Sequence, residues 1–341
     1  MRVLLTGHNG YIGQVLDPML QSFGHKVVGM DTFFFEDCQF EAPPKGSETL
    51  RKDIRDVQVH DLEGFDAVIF LAALSNDALS DLDPNLTVEI NHNATVRFAK
   101  LAKQAGVRRF LFSSSCSLYG ANEGDDLLTE ESGMNPVTPY GKAKIDVERE
   151  LSLLADDTFS PTYMRNATAY GLSPSLRIDL VVNNLTGYAY TTGEVLMKSD
   201  GSPWRPLVHV EDIAAAMRCV LESPIDPIHN QAFNVGQTAE NYQIKDVARI
   251  VQEVVPNSRI AFAEGAEPDK RNYRVSFEKI SAEVPTFQPQ WTVRQGVEDL
   301  LAAYKAHGLT VDELSSSKYL RIKTILGHKN NGRLDQGLRW A

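Results

Sequence analysis

A glycine-rich turn close to the amino terminus constrains the fold of this chain more than any other feature. The stretch "TGHNGYIG" follows the apolar run "RVLLT" and opens a segment with helical periodicity. In a strand, turn and helix unit of this kind, Gly7 permits the tight turn, Gly10 lets a pyrophosphate approach the backbone, and Gly13 lets helix and strand pack closely. The predicted dinucleotide site in this turn consists of Gly7, Asn9, Gly10, Tyr11, Ile12 and Gly13.

Strand and helix patterns alternate through the first half of the chain. Strands are predicted at "KVVGMD" (26–31), "FDAVIFLAA" (65–73) and "RRFLFSSS" (108–115), and the second run lacks alternation, as a central parallel strand does. Helical patterns at 11–24 and 85–106 lie between strands. This order implies right-handed crossovers and predicts an α/β fold with a doubly wound Rossmann parallel sheet.

The pattern loosens after about Thr168, where strands shorten and Pro and Gly become more frequent. We expect a dinucleotide-binding Rossmann domain at 1–168, to which some later segments return. A smaller C-terminal α/β domain for the substrate is expected at 169–341. Its basic tail, 315–341, has an amphipathic middle and is expected to dock on its own subunit or on a second copy. The loop "TFFFEDCQF" (32–40) is expected to anchor in a satellite core.

The end of the second predicted strand carries an acidic residue that bears on cofactor choice. Asp31 lies 18 residues after Gly13 and has no adjacent arginine. A carboxylate there can accept both ribose hydroxyls and would repel a 2'-phosphate, which favours NAD over NADP. Asp53 and Ile54, in "RKDIRD", are predicted to hold the adenine amino group and its face.

The stretch "TPYGKAK" brings a phenol and an ammonium together. A helix that begins near Pro139 places Tyr140 and Lys144 at i and i+4 on one face. Tyrosine has an ordinary pKa near 10, so its use as a base at neutral pH needs the phenolate to be favoured by about 3 pKa units. A neighbouring ammonium and a positively charged nicotinamide can together supply that shift.

These motifs occur in an order that resembles the extended short-chain dehydrogenase/reductase family, which includes nucleotide-sugar epimerases, dehydratases and reductases. The resemblance extends from "TGHNGYIG" through "FLAA", "INHNAT", "FSSSCSLYG" and "TPYGKAK" to "LVHVEDI" and "FNVG". It implies that Ser115, Tyr140 and Lys144 are catalytic. Tyr140 would move the hydroxyl proton, Lys144 would lower its pKa and hold a nicotinamide-ribose hydroxyl, and Ser115 would orient the sugar. The remaining dinucleotide contacts that the resemblance implies are Leu71, Ala72, Ala73, Asn91 and Ser113.

The residues after Ser115 separate the activities of this family. Its 4,6-dehydratases carry Asp-Glu there and its uronate decarboxylases a Glu, whereas this chain has Cys116 and Ser117. The dual 3,5-epimerases place a cysteine where Ser117 stands. A C4 epimerase of a UDP- or TDP-linked hexose and an NAD(P)H-dependent 4-ketoreductase of a 4-keto-6-deoxy sugar nucleotide remain. Because Asp31 favours NAD, the epimerase is preferred; a non-catalytic NAD-sensing regulator is the third alternative.

The resemblance also implies a set of substrate contacts. Thr168 stands where the family usually has an asparagine that meets the sugar or the diphosphate, and Asn166, Asn183 or Asn184 is the expected replacement. Arg205 matches an arginine that contacts the diphosphate, which suits bidentate phosphate recognition. Arg271 and Arg274 are the nearest candidates for a second arginine of this kind. Ser115 completes the predicted substrate site.

Composition limits the partners. A formal net charge of −11 without a basic cluster before the tail argues against nucleic acid or an anionic membrane surface as a partner. Three cysteines without a Cys-x-x-Cys pair suggest reduced thiols, and with no apolar leader or membrane span in the sequence we expect a cytoplasmic protein. We expect no metal site. The resemblance implies a homodimer formed through the helices at 85–105 and 140–155.

The first prediction concerns Asp31. The protein should bind NAD(H) much more tightly than NADP(H), and Asp31→Ala should narrow that difference because it removes both the hydroxyl acceptor and the repelling charge. Titration of both cofactors against the wild type and the variant measures the effect. A wild-type preference for NADP(H) would refute this role of Asp31.

Overall fold

The computed structural model describes residues 1–42, 46–75, 77–121, 126–263 and 271–341. The strands are β1 (Arg2–Thr6), β2 (Lys26–Asp31), β3 (Glu48–Arg51), β4 (Ala67–Phe70), β5 (Arg109–Ser115), β6 (Leu127–Leu128), β7 (Ser160–Asn166), β8 (Thr168–Tyr170), β9 (Glu194–Met197), β10 (Trp204–His209), β11 (Gln231–Val235), β12 (Asn241–Gln243), β13 (Arg259–Phe262) and β14 (Arg274–Val275). The α-helices are α1 (Gly13–Ser22), α2 (Asp77–Leu82), α3 (Pro84–Thr87), α4 (Thr95–Gln104), α5 (Pro139–Ser152), α6 (Val181–Thr192), α7 (Val210–Glu222), α8 (Ile244–Val254), α9 (Glu278–Glu283), α10 (Val293–His307), α11 (Val311–Ser315) and α12 (Arg321–Asn330). A π-helix, Val88–Ala94, joins α3 to α4.

Seven strands form one large sheet in the order β11-β7-β5-β4-β1-β2-β3, and all six pairings are parallel. This arrangement confirms the predicted doubly wound α/β fold. The bounds of β1 and β2 are those predicted from the sequence. Strand β3 was not predicted, because its sequence, "ETLR", is polar and largely exposed at the sheet edge.

Both faces of the sheet are covered, which explains why its central strands are apolar throughout. On one face, Leu16 of α1 and Ile213 of α7 belong to the same core as Val3 and Leu111 of the sheet. The opposite face buries Phe98 of α4 in a second core. Helix α7 and strand β11 come from the second half of the chain, so that half supplies part of the large sheet and of its cover.

Much of the remaining second half forms a smaller α/β unit beside the carboxyl ends of the large sheet. Strands β12, β10 and β8 make a three-stranded sheet, and β9 pairs with β13. Its core joins Tyr170 of β8, Val182 of α6, Val247 of α8 and Leu300 of α10.

The C-terminal tail packs on its own chain, which was the first of the two predicted docking sites. Ile325, Leu334 and Leu338 are buried in the same core as α4, and Phe34 of the "TFFF" loop packs against that core. Trp340 Nε1 donates a hydrogen bond to the Thr32 carbonyl over 2.6 Å. The tail and the loop after β2 therefore pack against each other. Across the described residues, no helix is both long enough and apolar enough to cross a membrane.

Candidate active site

A cavity of about 820 Å³ lies at the carboxyl ends of the large sheet, between the sheet and the smaller unit. Strands β1, β2, β4, β5 and β7 all end at it, as expected for ligand sites in open parallel sheets. Most of the predicted site residues line this one cavity: Gly7, Gly10, Tyr11, Ile12, Gly13, Asp31, Asp53, Ile54, Leu71, Ala72, Ala73, Ser113, Ser115, Tyr140, Lys144, Asn166, Thr168, Arg205 and Arg271.

The glycine turn has the geometry that its sequence predicts. Gly7 has a φ of +70°, and a Cβ there would lie 2.9 Å from the Ala72 nitrogen. A Cβ on Gly13 would lie 2.5 Å from the Gly7 carbonyl oxygen, so helix α1 approaches the turn too closely for any side chain. The amino terminus of α1 follows directly, with its N–H groups available to an anion.

Asp31 ends β2 beside this turn. Its carboxylate accepts hydrogen bonds from the Asn9 N–H over 3.1 Å and from the Phe33 N–H over 2.8 Å. Burial raises the pKa of Asp31, while these N–H groups act in the opposite direction. Each carboxylate oxygen keeps a further lone pair that a ribose hydroxyl can use. Asn9, a predicted cofactor contact, does not line the cavity. Its backbone N–H instead orients the Asp31 carboxylate, which does line it.

The adenine segment, residues 53–55, contains the two predicted adenine contacts and is stabilised by hydrogen bonds between its own residues. Asp53 caps a short 3-10 turn by accepting from the Arg55 N–H over 2.8 Å, and the Arg55 guanidinium pairs with the same carboxylate at 2.7 Å. Ile54 is buried against the cavity. The apolar face of Ile54 and the outer edge of Asp53 are thus held in place.

Ser115 is the last residue of β5, and its Oγ accepts a hydrogen bond from the Ser117 N–H over 3.1 Å. Helix α5 begins after the Thr138 cap and carries Tyr140 and Lys144 on one face. Lys144 Nζ lies 5.3 Å from the centre of the Tyr140 ring and donates to the Ser113 carbonyl over 2.6 Å. The three predicted catalytic residues therefore lie on one wall of the cavity.

Lys144 is buried, and its amino group has a pKa close to neutral pH. Burial lowers its pKa to about 7, while the Glu148 carboxylate, one helical turn away, acts to raise it. A lysine in this state can alternate between charged and neutral forms at working pH.

A buried polar network lies directly behind this wall. Glu148 forms a bidentate pair with Arg165 of β7, at 3.1 and 2.7 Å, and accepts from Ser114 Oγ over 2.5 Å. Arg165 also donates to the Tyr119 hydroxyl over 3.2 Å. Helix α5 and strands β5 and β7 are thereby fixed relative to one another.

The substrate side of the cavity combines an amide with arginines. Asn166 donates from Nδ2 to Ser113 Oγ over 3.0 Å, and its buried Oδ1 has no hydrogen-bond partner among the described residues. Arg205 of β10 donates to the Trp204 carbonyl over 2.7 Å and to the Arg271 carbonyl. Arg205 and Arg271 therefore lie side by side on the cavity wall.

Besides Asn9, two more of the predicted contacts are corrected by the structure. Asn183 was expected to contact the substrate, but its side chain is fully buried and bonds the Gly171 N–H at 2.9 Å and the Arg177 carbonyl at 3.0 Å. Its neighbour Asn184 lines the cavity instead. Asn91 holds the backbone of Leu74 through both amide atoms, at 2.7 and 3.0 Å, and so shapes the cavity wall indirectly.

The sequence of residues 3–236 matches the NAD dependent epimerase/dehydratase family. The chain belongs to this family. The predicted family resemblance and NAD as its cofactor are thereby confirmed, and the glycine turn, Asp31 and the adenine segment are a set of groups that fits NAD.

Relatives in this family extend over nearly the whole chain. A UDP-glucose 4-epimerase of Corynebacterium glutamicum is 29% identical over 325 residues, which cover 90% of this chain and 97% of that protein. UDP-glucuronic acid decarboxylase 4 of Arabidopsis thaliana is 25% identical over 317 residues, covering 87% and 67%. The solved structure of MoeE5 in complex with UDP-glucuronic acid and NAD has a TM-score of 0.78 at 25% identity, covering 90% of this chain and 99% of MoeE5.

The cavity also has lining residues that the sequence analysis missed. They include Arg177 and Asp179, which follow β8 and form an ion pair at 2.7 Å, and Leu320, Arg321 and Ile322 of the tail. The motifs behind the family resemblance end near residue 236, so the sequence offered no pattern that would assign the tail to the site.

The second prediction tests the buried network. Glu148→Gln leaves the Arg165 guanidinium buried without its counter-charge, so the variant should lose about 3 kcal/mol or more of unfolding free energy. Chemical denaturation followed by circular dichroism measures the loss. Glu150→Gln is the matched control, because Glu150 lies on the same helix and pairs with His92 near the surface, where a pair contributes about 1 kcal/mol or less. Equal losses in the two variants would contradict the network.

Proposed function

We propose that this protein is an NAD-dependent nucleotide-sugar epimerase acting at C4 of a UDP- or TDP-linked hexose. The observation that carries the proposal is the convergence of Ser115, Tyr140 and Lys144 on a cavity whose other end is the dinucleotide turn. The UDP-glucose 4-epimerase of Corynebacterium glutamicum, similar over 90% of the chain, supports the same activity.

The proposed chemistry assigns one task to each side chain. NAD supplies the reversible hydride acceptor when it is bound. Tyr140 takes the proton of the C4 hydroxyl, and the Lys144 ammonium beside its ring stabilises the phenolate. Ser115 donates a hydrogen bond to the reacting oxygen. Loss of this proton and of the C4 hydride leaves a 4-keto sugar, which then presents its other face; C4 takes the hydride back on that face and Tyr140 returns the proton to the oxygen.

The surroundings of Ser115 favour epimerisation over elimination of water. Elimination at a neighbouring carbon needs a further acid and base close to the sugar. Cys116 is buried in the core with its Sγ directed at the Arg165 carbonyl, and Ser117 contributes only a hydroxyl. The acidic lining residues in the described part of the chain are Asp31, Asp53 and Asp179. The first two belong to the adenosine end, and Asp179 is paired with Arg177.

The proposed substrate contacts lie away from the adenosine end of the cavity. We assign the diphosphate of the sugar nucleotide to Arg205 and Arg271, whose guanidinium groups suit phosphate oxygens. The sugar would lie against Ser115, Thr168 and the Asn166 amide, and the Asn166 Oδ1 would accept a hydrogen bond from the nicotinamide or from the sugar.

We extend the proposal to the form in which the protein acts. Residues 1–168, completed by α7 and β11, would bind the dinucleotide, and most of 169–341 would bind the substrate. A homodimer would form through the helices at 85–105 and 140–155, where Val88 is 48% exposed. The three buried free cysteines are compatible with a reducing cytoplasm.

The third prediction concerns Tyr140. Tyr140→Phe removes only the oxygen that carries the proton, so turnover should fall about 10²-fold or more while NAD binding is retained. Steady-state rates beside cofactor titration separate the two effects. Near-full turnover by the variant would remove Tyr140 from the catalytic role.

The fourth prediction separates epimerase from reductase by redox balance. With only catalytic NAD, the protein should interconvert the C4 epimers of a UDP- or TDP-hexose and reach the same equilibrium from either side. Chromatography of the sugar nucleotides, with absorbance of reduced nicotinamide, makes the measurement. If no epimer forms while a 4-keto-6-deoxy sugar nucleotide oxidises added NADH or NADPH one for one, the activity is that of a ketoreductase.

A further inference from the structure

The first residue of α12 brings a positive charge from the C-terminal tail into the cavity. Arg321 is only 3% exposed and lines the cavity wall. Its Nη2 donates to the Ser175 carbonyl over 2.9 Å and to Ser175 Oγ over 2.6 Å. The other terminal nitrogen, Nη1, is buried and has no hydrogen-bond partner among the residues that the structure describes. One side of the guanidinium is anchored, and the other is left for a ligand.

Among the described residues no carboxylate pairs directly with this buried charge, and Asp31 and Asp179 act on it only through their electrostatic field. Arg321 forms no ion pair there with a carboxylate, whereas the neighbouring Arg177 is paired with Asp179 at 2.7 Å. Burial lowers the pKa of Arg321 to about 10, so the group still carries its charge at neutral pH. A buried cation is costly unless an anion meets it. The nearest space open to such an anion is the cavity.

Hydrogen bonds tie Arg321 to the dinucleotide end of that cavity. Ser175, its anchor, lies two residues after Ser173, and the Ser173 hydroxyl donates to the Tyr11 carbonyl in the glycine turn over 2.8 Å. The charge of Arg321 also acts on Asp31, where it opposes the rise in pKa that burial causes. Arg321 therefore faces the region between the ribose site and the amino terminus of α1, where a dinucleotide carries its phosphates.

Other parts of the tail pack beside the part of the cavity that contains Asp31 and Asp53. Leu320 and Ile322 line the cavity on either side of Arg321. Further along, the carbonyls of Gly337 and Leu338 accept hydrogen bonds from Arg55, at 2.7 and 3.0 Å, next to the adenine segment. The tail is thus bonded to the adenine segment and, through Trp340, to the loop after Asp31.

We propose that Arg321 binds the diphosphate of the dinucleotide and that the C-terminal tail is thereby a working part of the cofactor site. The inference rests on the proposed function, because it takes NAD as the ligand. It deepens that function, since an epimerase needs its cofactor to stay in place while the sugar turns over.

The experiment is calorimetric titration of the full-length protein with NAD⁺, ADP-ribose, adenosine and UDP. Arg321→Met should weaken NAD⁺ and ADP-ribose by about tenfold or more, since a charge-assisted contact to phosphate is lost. Binding of adenosine and of UDP should be unchanged. Lys323→Met is the matched control, because it removes the same charge from an exposed position of the same helix and should leave all four affinities unaltered.

Three outcomes would overturn the proposal. Unchanged ADP-ribose affinity in Arg321→Met excludes the contact. Weaker UDP binding with unchanged ADP-ribose binding assigns Arg321 to the substrate. A loss of adenosine affinity equal to the loss of ADP-ribose affinity shows that Arg321 has only a packing role. Should Arg321→Met not fold, Arg321→Lys decides: it keeps the charge but loses the planar fork, so ADP-ribose should weaken by about threefold, and unchanged affinity refutes the proposal. Failure of the wild type to bind NAD⁺ would instead count against the proposed function.

Discussion

Parallel pairing of β1, β2, β4, β5 and β7 is the constraint on which the rest of this structure depends. Parallel strands end at the same edge of a sheet, so residues that are far apart in the sequence are brought together there. Gly7 follows β1, Asp31 ends β2, Ser115 ends β5 and Asn166 ends β7. Each of these four residues is therefore positioned by a strand most of whose residues are buried.

Electrostatics at this edge are arranged in two layers. The inner layer is the Glu148–Arg165 pair, which is buried and internally neutral. The outer layer contains the Lys144 ammonium, whose lowered pKa reflects burial and whose charge is supported by Glu148 behind it. In the proposed mechanism Tyr140 relies on the outer charge, and Glu148 of the inner pair favours the charged form of Lys144. The same carboxylate thus stabilises the fold and tunes the site.

Much of this arrangement can be predicted from sequence because it repeats a local pattern. The bounds of β1 and β2 follow from apolar runs beside a glycine turn, and Tyr140 and Lys144 follow from helical spacing. Strand β3 was missed because an exposed edge strand carries no apolar signal. Asn183 was misassigned because an amide serves a buried backbone as readily as a ligand. Arg321 was missed because only tertiary packing brings the tail to the cofactor wall.

The central claim is that one bound cofactor oxidises and then re-reduces the same sugar carbon. The most direct test is a sugar nucleotide deuterated at C4, incubated with the protein and catalytic NAD⁺ in the presence of unlabelled NADH. The account predicts that deuterium is retained at C4 in both epimers, because the hydride never leaves the cavity. Loss of the label to solvent or to the free NADH pool, or its appearance at another sugar carbon, would contradict it.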